Sequence, residues 1–172
     1  MFDPNYLIIP NKSILIFCPP RVGSSSFCEL LKKYNPDHIN YDELFGEAYP
    51  QIFDQNMLKK LCIIKIINDH KIPAYLDIVN TFNISLERKD QIAQIYSWYK
   101  FISLDPNNLE IKTDLLEQSI LYIKEMSKKR KNIKIDLELF YEDITHLFGP
   151  LGRSVRYGDY NEICQLIKEK IE

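Results

Sequence analysis

The sequence lacks an excess of basic residues, because its 22 Lys and Arg residues are outnumbered by 24 Asp and Glu residues. The resulting formal net charge of -2 argues against a nucleic-acid-binding domain, which usually has a clear positive balance. We therefore expect no nucleic-acid partner. Any anion site must be local and cannot be a property of the whole surface.

Paired cysteine motifs are also absent, since none of the four cysteines belongs to a CxxC pair. Two of them fall in apolar runs that are typical of buried strands. We expect all four to be free, buried thiols in a reducing compartment, and we expect no metal site. These cysteines are Cys18, Cys28, Cys62 and Cys164.

Long apolar runs are missing too, because no stretch reaches the roughly 20 residues that are needed to span a bilayer. The segment 1–11 is interrupted by Pro4 and Pro10 and has no basic region before an apolar one, which argues against a signal peptide. We expect one cytoplasmic domain over residues 1–172. The composition, rich in Ile, Lys and Asn, is typical of an AT-rich bacterial or phage genome.

The hydrophobic pattern alternates between strand-like and helix-like segments. This alternation predicts βαβ units and hence an α/β fold with a mostly parallel central sheet flanked by helices. The predicted strands are 13–18, 61–67, 81–86 and 132–140. The predicted helices are 24–34, 42–45, 51–60, 74–80, 90–101, 114–130 and 159–171.

The most informative segment is the loop 19–26, between the first predicted strand and the first predicted helix. Backbone N–H groups and a helix N-terminus converge in such a loop and favour an anion. Gly23 allows a tight turn, Arg21 adds a fixed positive charge, and the serines 24–26 offer hydroxyls and helix caps. No Lys follows Gly23, so the loop is not a Walker A motif, which argues against ATP or GTP hydrolysis.

A second candidate anion site begins where the third predicted strand ends. Arg88 lies at the carboxyl end of that strand, where ligands of open α/β sheets bind. Asp90 suits the N-cap of the next helix, and Ser97 follows about two helical turns later. Arg88 and Ser97 are thus suited to share one phosphate group.

These segments resemble the two nucleotide motifs of the sulfotransferase superfamily, including bacterial enzymes related to the Nod-factor and trehalose sulfotransferases. Pro20-Arg21-Val22-Gly23-Ser24-Ser25 is similar to the 5′-phosphosulfate loop, with Val22 in place of a small polar residue. Arg88, Asp90, Gln94 and Ser97 match the 3′-phosphate motif, with Ile95 in place of Ala. Phe140-Tyr141-Glu142-Asp143 resembles a late segment of the family and is interpreted as a fold marker.

The resemblance implies a single-domain, three-layer, P-loop-like fold that uses 3′-phosphoadenosine-5′-phosphosulfate (PAPS) as co-substrate, without a metal. It implies that Arg88 and Ser97 bind the 3′-phosphate. It also implies that the first loop binds the 5′-phosphosulfate. The loop residues concerned are Arg21, Val22, Gly23, Ser24, Ser25 and Ser26.

Two residues compete for the role of general base, which would accept the proton of the acceptor group. Glu43 matches the position of the proposed base in the bacterial relatives, and we expect apolar neighbours (Tyr41, Leu44, Phe45) to raise its pKa. His70 is chemically suited, but its spacing from Lys65 fits the family poorly. Lys65 is unusual within an apolar strand; it either extends to the edge of the sheet or reaches the transferred group.

A glycine-containing segment near the C-terminus supplies two further basic residues, Arg153 and Arg156. Other sulfotransferases close over the nucleotide with a loop of this kind, so the resemblance implies that one of these arginines binds it. The alternative is a plain surface loop before the last helix.

The predicted function is transfer of a sulfuryl group from PAPS to an acceptor hydroxyl or amine by in-line displacement. The acceptor, a small molecule or a saccharide, is not identified by the sequence, and neither is the oligomeric state. The alternatives are a catalytically inert nucleotide-binding module and a kinase with a degenerate phosphate loop. Arg21, Glu43, Lys65 and His70 are the candidate catalytic residues.

Overall fold

The computed structural model describes residues 3–43, 59–68, 70, 72, 76, 78–103, 110–128, 133–151 and 156–171. Five strands and five α-helices lie in these ranges. The strands are β1 (Ile14–Cys18), β2 (Ile39–Asp42), β3 (Cys62–Ile67), β4 (Phe82–Glu87) and β5 (Leu137–Phe140). The helices are α1 (Ser24–Tyr34), α2 (Gln91–Ile102), α3 (Thr113–Met126), α4 (Tyr141–Phe148) and α5 (Tyr160–Ile171).

The five strands form one sheet in the order β2-β3-β1-β4-β5, and all four neighbouring pairs are parallel. This confirms the predicted α/β class with a parallel central sheet flanked by helices. Because β1 lies between β3 and β4, the loops that follow these three strands meet at one edge of the sheet. Ligands of open α/β sheets bind at such an edge.

Strand β1 is buried along its whole length, and its alternating side chains supply two separate cores. Ile14 and Ile16 pack with Phe27 and Leu31 of α1 on one face of the sheet. Leu15 belongs to the apolar cluster on the opposite face. The continuous apolar run of β1 is therefore explained by burial on both sides, as in other parallel sheets.

A third apolar cluster joins α2, α3 and α5. Ile95 and Tyr99 of α2 are buried against Leu116 of α3 and Ile163 of α5. Helix α2 is thus held from two sides, which fixes the element that carries Ser97.

The largest difference from the sequence prediction lies at residues 39–42, which form β2. A helix had been expected to begin at Asp42, but Asp42 ends the strand after a register shift and has a φ of 49°. Asp and Asn tolerate this left-handed conformation better than other residues with a side chain. The rest of the predicted 42–45 helix, beyond Glu43, lies outside the described residues.

Other predicted boundaries differ at the less regular segments. β5 begins at Leu137 and not at 132, since residues 133–135 are irregular and Asp136 is a bend. Within the predicted 74–80 helix, the described residues Ile78–Asn80 form a short 3-10 turn. The predicted 51–60 helix falls mainly on residues outside the described ranges.

The four cysteines are free and buried, as predicted. No helix within the described ranges is long and apolar enough to cross a membrane. Across the same parts of the chain, no group of three or more His, Cys, Asp or Glu side chains is arranged to hold a metal ion.

Candidate functional site

The loop between β1 and α1 is a tight turn that contains two residues with positive φ. Arg21 has a φ of 59° and Gly23 a φ of 87°. A Cβ atom on Gly23 would lie 2.3 Å from the ring of Tyr141, so a side chain at this position would collide with that ring. Gly23 is therefore required both for its conformation and for the close approach of Tyr141.

The serines that follow this turn do not cap α1, contrary to the sequence prediction. Gly23 occupies the N-cap position, and no side chain makes a capping hydrogen bond there. Ser24 is buried, whereas Ser25 is exposed and Ser26 is partly exposed. Val22 is fully buried, so only its backbone is suited to contact a ligand.

Lys65 of β3 brings a positive charge to the start of α1. Its side chain is almost entirely buried, and its Nζ atom donates to Ser25 Oγ at 2.9 Å. The same ammonium lies 2.9 Å from Glu43 Oε2 and 3.2 Å from Asp42 Oδ1. Lys65 thus connects the first loop to the end of β2 and does not extend toward solvent.

His70 lies next to Glu43, with its Nε2 atom 3.2 Å from Glu43 Oε1. Its other ring nitrogen, Nδ1, accepts from the backbone N–H of Ile67 at 3.3 Å. This pattern assigns the proton to Nε2, which donates to Glu43. No sequence pattern placed His70 near the site, but the structure brings it into contact with Glu43.

The pKa of Glu43 is lowered to about 2 and not raised, which corrects the sequence prediction. The hydrogen bond from His70 is the main cause; the hydrogen bond and charge of Lys65 add to it and together outweigh the effect of burial. Leu44 and Phe45, expected to form an apolar wall, lie outside the described residues. Burial alone would lower the pKa of Lys65, but the two nearby carboxylates reverse that effect and raise it.

The side chain of Arg21 extends to α2, where its Nε atom donates to Ser97 Oγ at 3.1 Å. Arg88 approaches the same turn and donates from its Nη1 atom to the carbonyl oxygen of Arg21 at 3.3 Å. Arg21 is exposed, but its pKa is lowered. Partial desolvation is the larger cause and the nearby charge of Arg88 is the smaller one. Two guanidinium groups and one hydroxyl are therefore gathered at one place.

Helix α2 also holds the turn directly. The buried Gln94 side chain donates from Nε2 to the carbonyl oxygen of Pro20 at 2.7 Å. Asp90 caps the helix, as predicted, by accepting from the backbone N–H of Ala93 at 2.9 Å. Helix α2 thus fixes the position of the first loop as well as that of Ser97.

Of the two arginines near the C-terminus, the structure describes one. Arg156 lies over the ring of Tyr160, with 4.7 Å between the guanidinium carbon and the ring centroid. Arg153 falls outside the described residues. A contact of either arginine with a nucleotide stays a prediction.

A cavity of about 290 Å³ lies on the opposite face of the sheet from Lys65. Phe17 and Ser85 line it, and alternation along β1 and β4 directs both away from the face that α1 covers. The cavity is therefore separate from the contacts between Lys65 and Ser25.

Cys18 ends β1 immediately before the loop. Burial is the largest influence on this thiol and raises its pKa to about 12. The thiol is therefore protonated at neutral pH and is not suited to act as a nucleophile.

Sequence reasoning missed two contributors to this site. Asp42 had been assigned to a helix. Its contact with Lys65 depends on the pairing of β2 with β3, and a short polar segment such as β2 gives only a weak sequence pattern for a strand. Glu142 had been interpreted as a helix-start acid; it does lie in the first turn of α4, but it also binds the loop that carries Arg88.

No protein-family model matches this chain, and a search of curated proteins found no match. Among solved structures, the crystal structure of mouse sulfotransferase SULT7A1 complexed with PAP is similar to it at 16% sequence identity. That similarity covers 95% of this chain and 68% of the mouse chain, with a TM-score of 0.46.

Proposed function

We propose that this protein is a PAPS-dependent sulfotransferase that transfers a sulfuryl group to an acceptor hydroxyl or amine. The observation that carries the proposal is a pair of hydrogen-bond donor clusters beside one tight loop at the carboxyl edge of the sheet. Lys65 with Ser25 forms one cluster, and Arg21 with Arg88 and Ser97 forms the other. The arginine cluster is cationic, whereas the Lys65 ammonium of the other cluster is paired with Glu43 and Asp42. A nucleotide with anionic groups at both its 5′ and its 3′ positions fits two such clusters.

The second cluster is suited to the 3′-phosphate, and it includes Arg21, which the resemblance assigns to the 5′-phosphosulfate but which contacts Ser97 and Arg88. Arg21 and Arg88 repel each other when no anion lies between them, and a dianionic phosphate would relieve that repulsion. Ser97 adds a hydroxyl within hydrogen-bond distance of Arg21. ATP has no phosphate at the 3′ position, so this cluster favours the bisphosphate nucleotide.

The first cluster is suited to the 5′-phosphosulfate. Backbone N–H groups at the start of α1, the Ser25 hydroxyl and the Lys65 ammonium converge on one side of the loop. In this role they would stabilise the charge that develops on the departing 5′-phosphate. Lys65 supplies from a neighbouring strand the lysine that the loop itself lacks.

Glu43 is better placed than His70 to accept the acceptor proton. The Nδ1 atom of His70 accepts from the Ile67 N–H, whereas Glu43 is a carboxylate that His70 and Lys65 hold in place. The lowered pKa of Glu43 keeps it ionised but makes it a weak base, so its contribution would come from position more than from basicity. In the transfer step a bond forms between the acceptor atom and sulfur, and the bond from sulfur to the 5′-phosphate oxygen breaks. The acceptor proton passes to Glu43, which His70 and Lys65 hold in position.

The direct test is product formation. The purified chain is incubated with labelled PAPS and a metabolite extract, and sulfated products are identified by mass analysis. We expect label in at least one extract component together with release of the 3′,5′-bisphosphate. Nucleotide binding without transfer to any component would instead favour the inert nucleotide-binding module.

A further inference from the structure

The loop that carries Arg88 is held by an acidic residue outside both nucleotide motifs. Glu142, in the first turn of α4, accepts the backbone N–H of Lys89 at 2.9 Å through Oε2 and that of Asp90 at 3.1 Å through Oε1. One carboxylate therefore fixes two consecutive peptide groups immediately after Arg88. Charge-assisted hydrogen bonds of this kind are stronger than neutral ones.

Glu142 also contacts the arginine itself. Its Oε1 atom lies 3.7 Å from Arg88 Nε, which is an ion-pair distance but too long for a hydrogen bond. Arg88 is confined from another side by Tyr141, because its guanidinium carbon lies 5.5 Å from the centroid of that ring. The guanidinium is thus restrained before any ligand is present.

The same tyrosine links this restraint to the first loop. The ring of Tyr141 packs directly against Gly23, and its hydroxyl donates to the carbonyl oxygen of Leu151 at 3.1 Å. The β5–α4 junction, residues 140–143, therefore contacts both loops from which the two arginines extend.

We propose that Glu142 is a positioning residue that holds Arg88 for a 3′-phosphate and so determines the preference for a 3′,5′-bisphosphate over a 5′-monophosphate. The inference rests on the proposed function, because it takes the ligand to carry a 3′-phosphate. Glu142 acts through the peptide groups after Arg88 and is not itself a phosphate ligand. Its negative charge opposes the phosphate, so its contribution comes from geometry.

The test compares binding of adenosine 3′,5′-bisphosphate and of AMP by titration calorimetry. Glu142→Ala removes both the charge and the acceptor atoms, whereas Glu142→Gln removes the charge but keeps one carbonyl acceptor. We expect Glu142→Ala to weaken bisphosphate binding about tenfold or more and to change AMP binding by about twofold or less. Glu142→Gln should lower the preference for the bisphosphate by less than Glu142→Ala does, because it keeps one of the two acceptor atoms.

Asp143→Asn is the matched control, since Asp143 lies in the same helical turn but its carboxylate accepts from the Lys89 side chain, at 2.5 Å, and from no backbone N–H within the described ranges. It should leave the preference unchanged. Equal loss of both ligands in Glu142→Ala, or tighter bisphosphate binding in both Glu142 variants, would overturn the inference while leaving the proposed function intact. Failure of the unmodified protein to bind the bisphosphate would overturn both.

Discussion

Lys65 shows how a charged side chain becomes stable within an apolar strand. The residue is 5% exposed, and an unpaired buried ammonium would be costly. Glu43 and Asp42 supply two carboxylates at the end of β2, and Ser25 supplies a hydroxyl. The hydrogen bond from His70, together with the hydrogen bond and charge of Lys65, keeps Glu43 ionised.

The proposed role of Glu43 as general base predicts a selective loss of turnover. Glu43→Gln should lower kcat by about 10²–10⁴-fold, because the proton acceptor is lost, while binding of the 3′,5′-bisphosphate changes little. His70→Asn should lower kcat by about tenfold or less, because His70 only orients the carboxylate. Steady-state kinetics with an identified acceptor provides the measurement, and a larger loss in His70→Asn than in Glu43→Gln would contradict the assignment.

The lowered pKa of Glu43 also predicts how stability depends on pH. The pKa falls from an ordinary 4.5 to about 2 in the folded protein, so the unfolded chain binds more protons between these values. The stabilisation by Glu43 is therefore complete above its ordinary pKa and is lost as the pH falls toward about 2. Urea unfolding at about pH 6 and about pH 3 should show a smaller decrease in stability for Glu43→Gln than for the unmodified protein. Equal decreases in the two proteins would contradict the lowered pKa.

Sequence reasoning could identify residue types at this site but not their contacts. Arg21, Gly23 and Arg88 could be selected because loops after buried strands and before helices bind anions. The partner of Arg21 could not be predicted, since Ser97 lies 76 residues away and the contact depends on the conformation of a residue with positive φ. The pKa of Glu43 was predicted in the wrong direction because the two side chains that lower it are distant in sequence. Lys65 belongs to β3, and His70 lies shortly after that strand.

At the scale of elements, regular segments with strong patterns were predicted well. Helix α1 has the predicted bounds, and β1, β3, β4 and α2 differ from their predicted bounds by a single residue at one or both ends. β2 was missed because its four residues are only partly buried and include Asn and Asp, which are rare in strands. Its position at the edge of the sheet depends on pairing with β3, a long-range contact that no local pattern reveals.

The attachment of α5 to α2 depends on a buried ion pair. Lys100 of α2 lies 2.5 Å from Asp159, and the two side chains are 6% and 3% exposed. Tyr96 donates its hydroxyl to the other carboxylate oxygen at 3.2 Å. This network fixes the helix that carries Gln94 and Ser97.

Breaking that pair should destabilise the protein strongly. Asp159→Asn removes the carboxylate that lies 2.5 Å from the buried Lys100 ammonium, which costs about 3–5 kcal/mol of unfolding free energy. The double variant Lys100→Met with Asp159→Asn should recover most of that loss, because it removes the ammonium together with its carboxylate partner while the Tyr96 hydroxyl keeps an acceptor. Chemical denaturation measures all three proteins, and equal stability of the single and double variants would contradict this account.

At the scale of the whole molecule, the order of the strands explains how a chain with a net charge of -2 forms a local cationic site. β1 lies at the centre of the sheet, so the residues after β1 and β4 meet at one edge, and α2 returns Ser97 to that edge. The side chain of Lys65 reaches the same loop from β3. The two clusters lie on separate sides of the loop, and their separation is the basis for expecting a nucleotide with two anionic ends.

The most direct test is calorimetric titration of the purified chain with adenosine 3′,5′-bisphosphate and with ATP. We predict that the bisphosphate binds and that ATP binds more weakly by about tenfold or more, because ATP leaves the cluster of Arg21, Arg88 and Ser97 without a phosphate. Arg88→Ala should remove most of this preference. Tight binding of ATP together with no binding of the bisphosphate would contradict the proposed function.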